Sequence, residues 1–281
     1  MKKHGLFFAV FAVLIFLGGC TQPVITDEPD ISGPRKNIAD AVNAINLHRN
    51  SVKPLYVNGS VSYIEFEDEK IKRQENMDCR LRFDPPVNLY FKASSVLGEA
   101  ILLGSNSDEF WLRMKPKEIS RYWWGNWAQL NDCPSRLLIS PQNMLDALGM
   151  VEVDHSWILL NEKGEDVLVN VDDDGRFKKK IFIRHRDYLV SRIEYYNQKG
   201  IISISVDLDD YKPVDGGSPV PTNISIAAVN EFGENARIDV KLKTPKLFKP
   251  EQITKNMFNR PPSKGFKDIY KLNENCKYIQ Q

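Results

Sequence analysis

Most of the chain after residue 54 alternates apolar and polar positions, the period-two pattern of a strand with one buried and one solvated face. In the run IISISVDL, Ile202, Ile204 and Val206 alternate with Ser203 and Ser205. Similar runs are LYVNGSVSY, RQENMDCRLRF, VNLYFKASS and ARIDVKLK. The pattern predicts about eleven or twelve strands, and such one-sided alternation is typical of antiparallel sheets.

Two segments carry the longer period of a helix. Residues 36–50 place apolar side chains on one stripe, and Pro54 prevents continuation. In the second segment, 140–150, Ser140 is a suitable N-cap and Pro141 occupies the first helical position. The two apolar stripes consist of Ile38, Val42, Ile45 and Leu47, and of Met144, Leu145 and Leu148. A short last helix is predicted over 250–258, and the tail after it is polar and expected to be loosely held.

Together these elements predict a mainly β protein of the α+β class. We expect one large antiparallel sheet of about eleven or twelve strands, curled, with helices on one side.

The first twenty residues have the features of a lipoprotein signal. A basic start, Met1 to His4, precedes the apolar run 6–17, which is too short for an ordinary membrane-spanning helix. Leu17-Gly18-Gly19-Cys20 resembles a bacterial lipobox, in which cleavage before the cysteine is followed by acylation of its thiol. The alternative is a plain secretory signal with a chance cysteine. Cys20 is therefore the predicted lipidation site.

These patterns divide the chain into four predicted regions. Residues 1–19 are the signal peptide, and 20–35 a lipidated start with a Pro-rich flexible tether. The folded domain spans 36–262, and a polar tail spans 263–281. Thr21, rather than an aspartate, follows Cys20, which favours an exported protein anchored at the periplasmic face of the outer membrane over the inner membrane.

Composition excludes some functions. The net charge is +1 with 27% charged residues, so nothing suggests nucleic-acid binding. The spacings of Cys79, Cys133 and Cys276 match no zinc motif, although one disulfide is compatible with export.

Catalytic and cofactor motifs are absent, so we predict a protein that is not an enzyme and has no cofactor or metal. The histidines of the mature chain are scattered. In NVDDDGRFKKKI, Asn170, Asp172 and Asp174 have the spacing of a calcium loop, but Ile181 stands where a bidentate glutamate is required. A charged Asp-Gly hairpin is the favoured interpretation.

The order of the elements resembles the LolA/LolB-like superfamily of periplasmic lipoprotein carriers and receptors. The resemblance covers roughly 37–262 and rests on the first helix before LYVNGSVSY, on ILLGSNSDEFWLRMKP, on the SPQNMLDALG helix and on LVSRIEYYNQKGIISISVDLDDYKPVDGG followed by PVPTNISI. It implies an incomplete antiparallel barrel of about eleven strands whose concave apolar side is covered by helices. The receptor of that family is itself a lipoprotein, so Cys20 makes the chain similar to that branch. The receptor also has an apolar membrane-inserting loop, for which GNWAQLNDCPSR is a candidate by composition.

The resemblance implies a membrane-anchored protein that shelters acyl chains of lipids or lipoproteins, with a periplasmic carrier as a further partner. The alternatives are an envelope-stress sensor or regulatory protein that binds another protein, and a structural lipoprotein that fills its own interior. Four of the five tryptophans fall between residues 107 and 127, and they suit a cavity wall, a rim or an ordinary core. The candidate cavity or rim residues are Val57, Val61, Leu89, Phe91, Ile101, Leu103, Trp111, Trp124, Met144 and Leu148.

Overall fold

The computed structural model describes residues 33–115, 120–130, 139–230, 233–254 and 256–281. All of them belong to one compact unit, and the predicted signal peptide and Cys20 lie outside them. The helices are α1 (Ile38–Ser51), α2 (Trp127–Leu130), α3 (Pro141–Leu145), a π-helical turn (Asp146–Met150) and a 3-10 turn (Pro250–Gln252). The strands are β1 (Leu55–Glu67), β2 (Lys70–Asp84), β3 (Asn88–Ser95), β4 (Gly98–Ser105), β5 (Glu109–Met114), β6 (Arg121–Asn126), β7 (Ile158–Glu162), β8 (Glu165–Val171), β9 (Phe177–Arg184), β10 (Val190–Tyr196), β11 (Ile202–Val214), β12 (Gly217–Asn230), β13 (Gly233–Leu242), β14 (Lys246–Leu247), β15 (Asp268–Leu272) and β16 (Tyr278–Gln280).

The described strands form one sheet of sixteen, in the order β16-β15-β6-β5-β4-β3-β2-β1-β13-β12-β11-β10-β9-β8-β7, with β14 also paired to β1. Every pairing is antiparallel except the parallel pair β6 and β15. The prediction of a large, mainly antiparallel sheet is therefore confirmed. The prediction of about eleven strands is too low. The sheet is open, as an incomplete barrel requires, because β16 and β7 are unpaired with each other.

Both predicted helices form, and local chemistry explains where they begin. The Asn37 side chain caps α1 by accepting from the backbone N–H of Asp40. Ser140 caps α3 in the same way, and Pro141 follows it at the first helical position. Gly149 ends the π-helical turn with a φ of 91°, a left-handed conformation that glycine adopts without strain. The prediction of a helix over 250–258 is wrong, since the described residues of this range form only the short 3-10 turn.

One apolar cluster joins the helices to one face of the sheet. Helix α1 contributes Ala41, Val42 and Ile45, whereas Leu47 of its predicted stripe is 69% exposed. Helix α1 packs on β7, β12 and the π-helical turn, and α3 packs on β4 and β5. Helices this short are marginal alone, so their stability comes from this packing.

The structure of the C-terminal segment also differs from what the sequence predicted. Instead of a loosely held tail, residues 268–272 and 278–280 are strands that extend the sheet beyond β6. Cys276 is disulfide-bonded, whereas Cys79 is free and buried in the core. Among the residues that the structure covers, no helix is both long enough and apolar enough to span a membrane.

Candidate functional site

Most of the predicted cavity residues meet in the space between the sheet and the helices. They come from β1, β3, β4, α3 and the π-helical turn, and each is at most 3% exposed within the single apolar cluster. They are Val57, Val61, Leu89, Phe91, Ile101, Leu103, Met144 and Leu148. The interior is thus apolar, and in this conformation side chains of the helices fill it.

Trp111 and Trp124 do not line this interior. They face each other across β5 and β6, on the side of the sheet opposite to Leu112, which belongs to the apolar cluster. Trp111 is 1% exposed and packs flat on Gly104, where a Cβ atom would lie 2.5 Å from the indole. Because successive side chains of a strand point to opposite faces of the sheet, only one of Trp123 and Trp124 can face the interior. Trp123 is the one that packs against the apolar cluster, and Trp127 packs against it as well.

The C-terminal segment covers this outer tryptophan face. The Arg260 guanidinium lies 4.1 Å from the centre of the Trp124 ring, and Lys271 approaches the same ring at 4.8 Å. Tyr122 donates a hydrogen bond of 2.8 Å to the carbonyl of Pro261 and packs on Phe266. The tryptophan-rich stretch therefore serves two packing interfaces, one with the interior and one with the C-terminal segment.

A buried ion pair fastens the π-helical turn to the sheet. The carboxylate of Asp146, which has no exposed side-chain area, accepts from Lys179 Nζ at 2.6 Å and from the Tyr195 hydroxyl at 2.5 Å. Gln142 donates to the other carboxylate oxygen at 3.0 Å. Burial, together with the charge of Asp146, raises the pKa of Tyr195 well above its ordinary value, so its phenol stays protonated and donates.

A second buried carboxylate, Asp166, holds the segment that leads into α1. It accepts from the backbone N–H of Arg35 at 2.9 Å, from Asn161 at 2.7 Å, from Tyr188 at 3.0 Å and from His185 at 2.8 Å. The Arg35 guanidinium also lies 4.0 Å from the centre of the Tyr188 ring. Neither carboxylate network was predicted, because most of the partners lie far from the aspartate in sequence.

A histidine lies where α1 meets the π-helical turn. A Cβ atom on Gly149 would be 3.0 Å from His48 Nε2, so the ring fits closely against the glycine backbone. Burial lowers the pKa of His48 below its ordinary value. The neutral ring is therefore the form that suits this contact.

The Asp-rich hairpin between β8 and β9 is an ordinary charged turn. Asp172 accepts from the backbone N–H groups of Asp174 and Arg176, and the Arg176 guanidinium pairs with both aspartates. Within the described part of the chain, no group of three or more His, Cys, Asp or Glu side chains could hold a metal ion.

One end of the sheet exposes apolar side chains on several connections. Among the described residues, Val96 and Leu97 are the most exposed of these, at 104% and 82%, and form the tip of the β3–β4 hairpin. The strand pairings place further exposed apolar residues at the same end, namely Ile71, Ile158, Phe177 and Ile201. Of the predicted apolar loop GNWAQLNDCPSR, residues 125–130 lie at the opposite end of the sheet, and the remaining residues fall outside the described part of the chain.

Two solved structures have a similar fold. A LolA superfamily protein of Nitrosomonas europaea aligns over 80% of this chain and 99% of its own, with a TM-score of 0.50 and 10% identity. A putative outer membrane lipoprotein-sorting protein domain of Vibrio parahaemolyticus aligns over 78% of this chain and 95% of its own, with a TM-score of 0.51 and 9% identity. The chain therefore has a LolA-like fold. No protein family and no curated protein matches the sequence itself.

Proposed function

We propose that this protein is a lipid-anchored envelope protein that binds acyl chains of lipids or lipoproteins between its sheet and its helices. The observation that carries the proposal is the single apolar cluster shared by one sheet face and short helices. Those helices depend on packing alone. We expect them to move away while the sheet persists, so that an acyl chain takes the place of their side chains. Each methylene buried in this way contributes about 0.8 kcal/mol.

The proposed cellular role and partner are based on the same fold. The lipoprotein-sorting name of the Vibrio neighbour supports a role in lipoprotein localisation or lipid transfer, with a periplasmic carrier as partner. The lipobox supports acylation at Cys20 and anchoring at the periplasmic face of the outer membrane. Binding and transfer of this kind require no catalytic group, so the proposal includes no enzymatic activity, cofactor or metal.

Truncation of Leu148 tests acyl binding. The Leu148→Ala change leaves an apolar cavity in the interior, so we expect stability to fall by about 2–5 kcal/mol and acyl affinity to rise about tenfold. A fluorescent fatty acid titrated into the Cys20→Ser protein, which carries no acyl group of its own, measures the affinity. Leu102→Ala is the matched control, because Leu102 is buried in the same sheet but outside the interior cluster. Unchanged affinity in Leu148→Ala would contradict binding in this interior.

The exposed hairpin tip supports a second membrane contact, in addition to the predicted anchor. Lys115 lies at the same end of the sheet, bonded through its N–H to Ala100. Exposed aliphatic side chains with lysines nearby suit the interface of an anionic bilayer.

Removing the apolar tip is expected to weaken this contact. For Val96→Ser with Leu97→Ser, we predict about tenfold weaker partition onto vesicles of phosphatidylglycerol and phosphatidylethanolamine, since two aliphatic groups lose their burial. Leu47→Ser is the control, because Leu47 is also well exposed but lies on α1. Equal partition of the double variant and the unmodified protein in a flotation assay would rule out the tip as the contact.

A protein-binding role is the second candidate, and the filled interior favours it. If no acyl chain binds, the exposed tip at Val96 and Leu97 becomes the surface on which a partner protein would dock.

A further inference from the structure

A groove on the sheet brings two cationic side chains together. It has a volume of about 550 Å³ and extends over β1, β2 and β3, up to the exposed tip of the β3–β4 hairpin. On β2, its residues alternate with Cys79 and Leu81, which belong to the interior cluster, so the groove faces away from the proposed acyl site. The residues that line it include Ser60, Asp78, Arg80, Lys92, Ser94 and Val96.

The two cations of the groove repel each other. Arg80 and Lys92 are directly opposite on β2 and β3, and like charges in this relation destabilise a sheet. Glu99 lies 3.4 Å from Lys92, but it is shared with Arg113 at 3.5 Å. Arg80 is exposed, and its guanidinium forms no ion pair or hydrogen bond within the described part of the chain. An anion bound between Arg80 and Lys92 would relieve this repulsion.

A carboxylate lies next to the cations in the same groove. Asp78 precedes Arg80 by two positions on β2, so the two side chains face the same side, about 7 Å apart. Its neighbour across the strands is Ser94, which is neutral. Among the residues that the structure covers, the Asp78 side chain has no ion-pair or hydrogen-bond partner. The groove therefore presents two adjacent positive groups and one separate negative group.

A ligand that matches this pattern carries one phosphate and one ammonium group. Arginine and lysine both bind phosphate oxygens, and arginine does so through two parallel hydrogen bonds. An ammonium group on a two-carbon arm extends from the phosphate towards a neighbouring carboxylate. Ethanolamine phosphodiesters have this chemistry, both as headgroups of phospholipids and as their water-soluble deacylated forms.

We propose that the groove is a binding site for ethanolamine phosphodiesters, in which Arg80 and Lys92 hold the phosphate and Asp78 holds the ammonium group. The site goes beyond acyl binding in the interior and does not depend on it. Because Val96 belongs to its lining, the site lies next to the proposed membrane contact.

Titration with glycerophosphoethanolamine tests the phosphate contacts. The ligand is added to the Cys20→Ser protein, and the amide resonances of β2 and β3 are followed by NMR. We expect a dissociation constant of about 1 mM, which is ordinary for a small ligand in an open groove. Arg80→Gln should weaken binding about tenfold, because a charge-assisted bidentate contact is lost. Arg186→Gln is the control, since that side chain is 71% exposed and lies on the β9–β10 connection.

Glycerophosphoglycerol, whose headgroup has no amine, tests the role of Asp78. The unmodified protein should prefer the ethanolamine ligand about fivefold, the size of a favourable exposed ion pair. Asp78→Asn should remove the preference while both ligands still bind. Equal affinity for the two ligands, unchanged binding in Arg80→Gln, or no spectral change at the solubility limit would each overturn the proposal. None of these outcomes bears on acyl uptake by the interior, which is measured separately.

Vesicles distinguish a lipid headgroup from a soluble ligand. If the groove takes headgroups from a bilayer, the protein should bind vesicles of phosphatidylethanolamine and phosphatidylglycerol more strongly than vesicles of phosphatidylcholine and phosphatidylglycerol. The trimethylated ammonium of choline has no N–H to donate to Asp78, so Asp78→Asn should lose this difference. Binding of the soluble ligand without any difference between the vesicles would assign the groove to free phosphodiesters.

Discussion

Replacing Asp146 with alanine is expected to lower the free energy of unfolding by about 3–5 kcal/mol, the usual cost of removing one partner of a buried ion pair. The change leaves the Lys179 ammonium, which is 15% exposed, without its counter-charge. It also leaves the buried Tyr195 hydroxyl without its acceptor. Because Asp146 begins the π-helical turn, we expect the helices to loosen from the sheet before the sheet itself unfolds.

Urea denaturation of the purified protein measures this loss. Glu152→Ala is the control, because Glu152 pairs with Arg49 at 2.7 Å but has a side chain that is 78% exposed, so its loss should be below about 1 kcal/mol. The double change Asp146→Leu with Lys179→Met should recover part of the stability, since it removes both charges. A loss below 1 kcal/mol in Asp146→Ala would show that the pair does not fasten the turn.

Removing the other buried carboxylate, in Asp166→Ala, is expected to reduce stability by about 2–4 kcal/mol, because buried donors lose their shared acceptor. The effect should be greatest where the chain enters α1, since Asp166 accepts from the backbone N–H of Arg35. We therefore expect α1 to detach at its beginning and to cover the interior less tightly.

Hydrogen exchange combined with denaturation tests this expectation. The amide of Arg35 should exchange rapidly in Asp166→Ala, while amides in the centre of β11 remain protected. Asp166→Asn should give a smaller loss, because the carboxamide keeps the shape and one acceptor. Asp209→Ala is the surface control, as its side chain is 75% exposed. Unchanged protection at Arg35 would contradict the role of Asp166 in holding this segment.

The sequence predicted the elements whose signals are local. Ser140 and Pro141 mark the start of α3 because capping depends on neighbouring residues alone. Alternation correctly implied that Trp123 and Trp124 face opposite sides, but it could not determine which side is the interior. That direction depends on the C-terminal segment, which covers Trp124 from more than 130 residues further along the chain.

The candidate site was also predictable only where its residues follow a local sequence pattern. Apolar positions such as Val61 and Leu103 were found because strand periodicity identifies a buried face. Asp146 and Lys179 are 33 positions apart, and no local pattern pairs them. The C-terminal strands were missed because β15 pairs with β6 in parallel, across a long separation, in a polar stretch of sequence.

The central claim is that acyl chains occupy the interior beneath the helices, and native mass spectrometry tests it most directly. The Cys20→Ser protein would be purified gently from an envelope-containing host and sprayed without detergent. We predict a species heavier by the mass of a lipid or lipopeptide, which disappears after mild organic extraction. Protein that stays at its bare mass, and that also takes up no added fatty acid or lipopeptide, would contradict the account and favour a partner-binding or structural role.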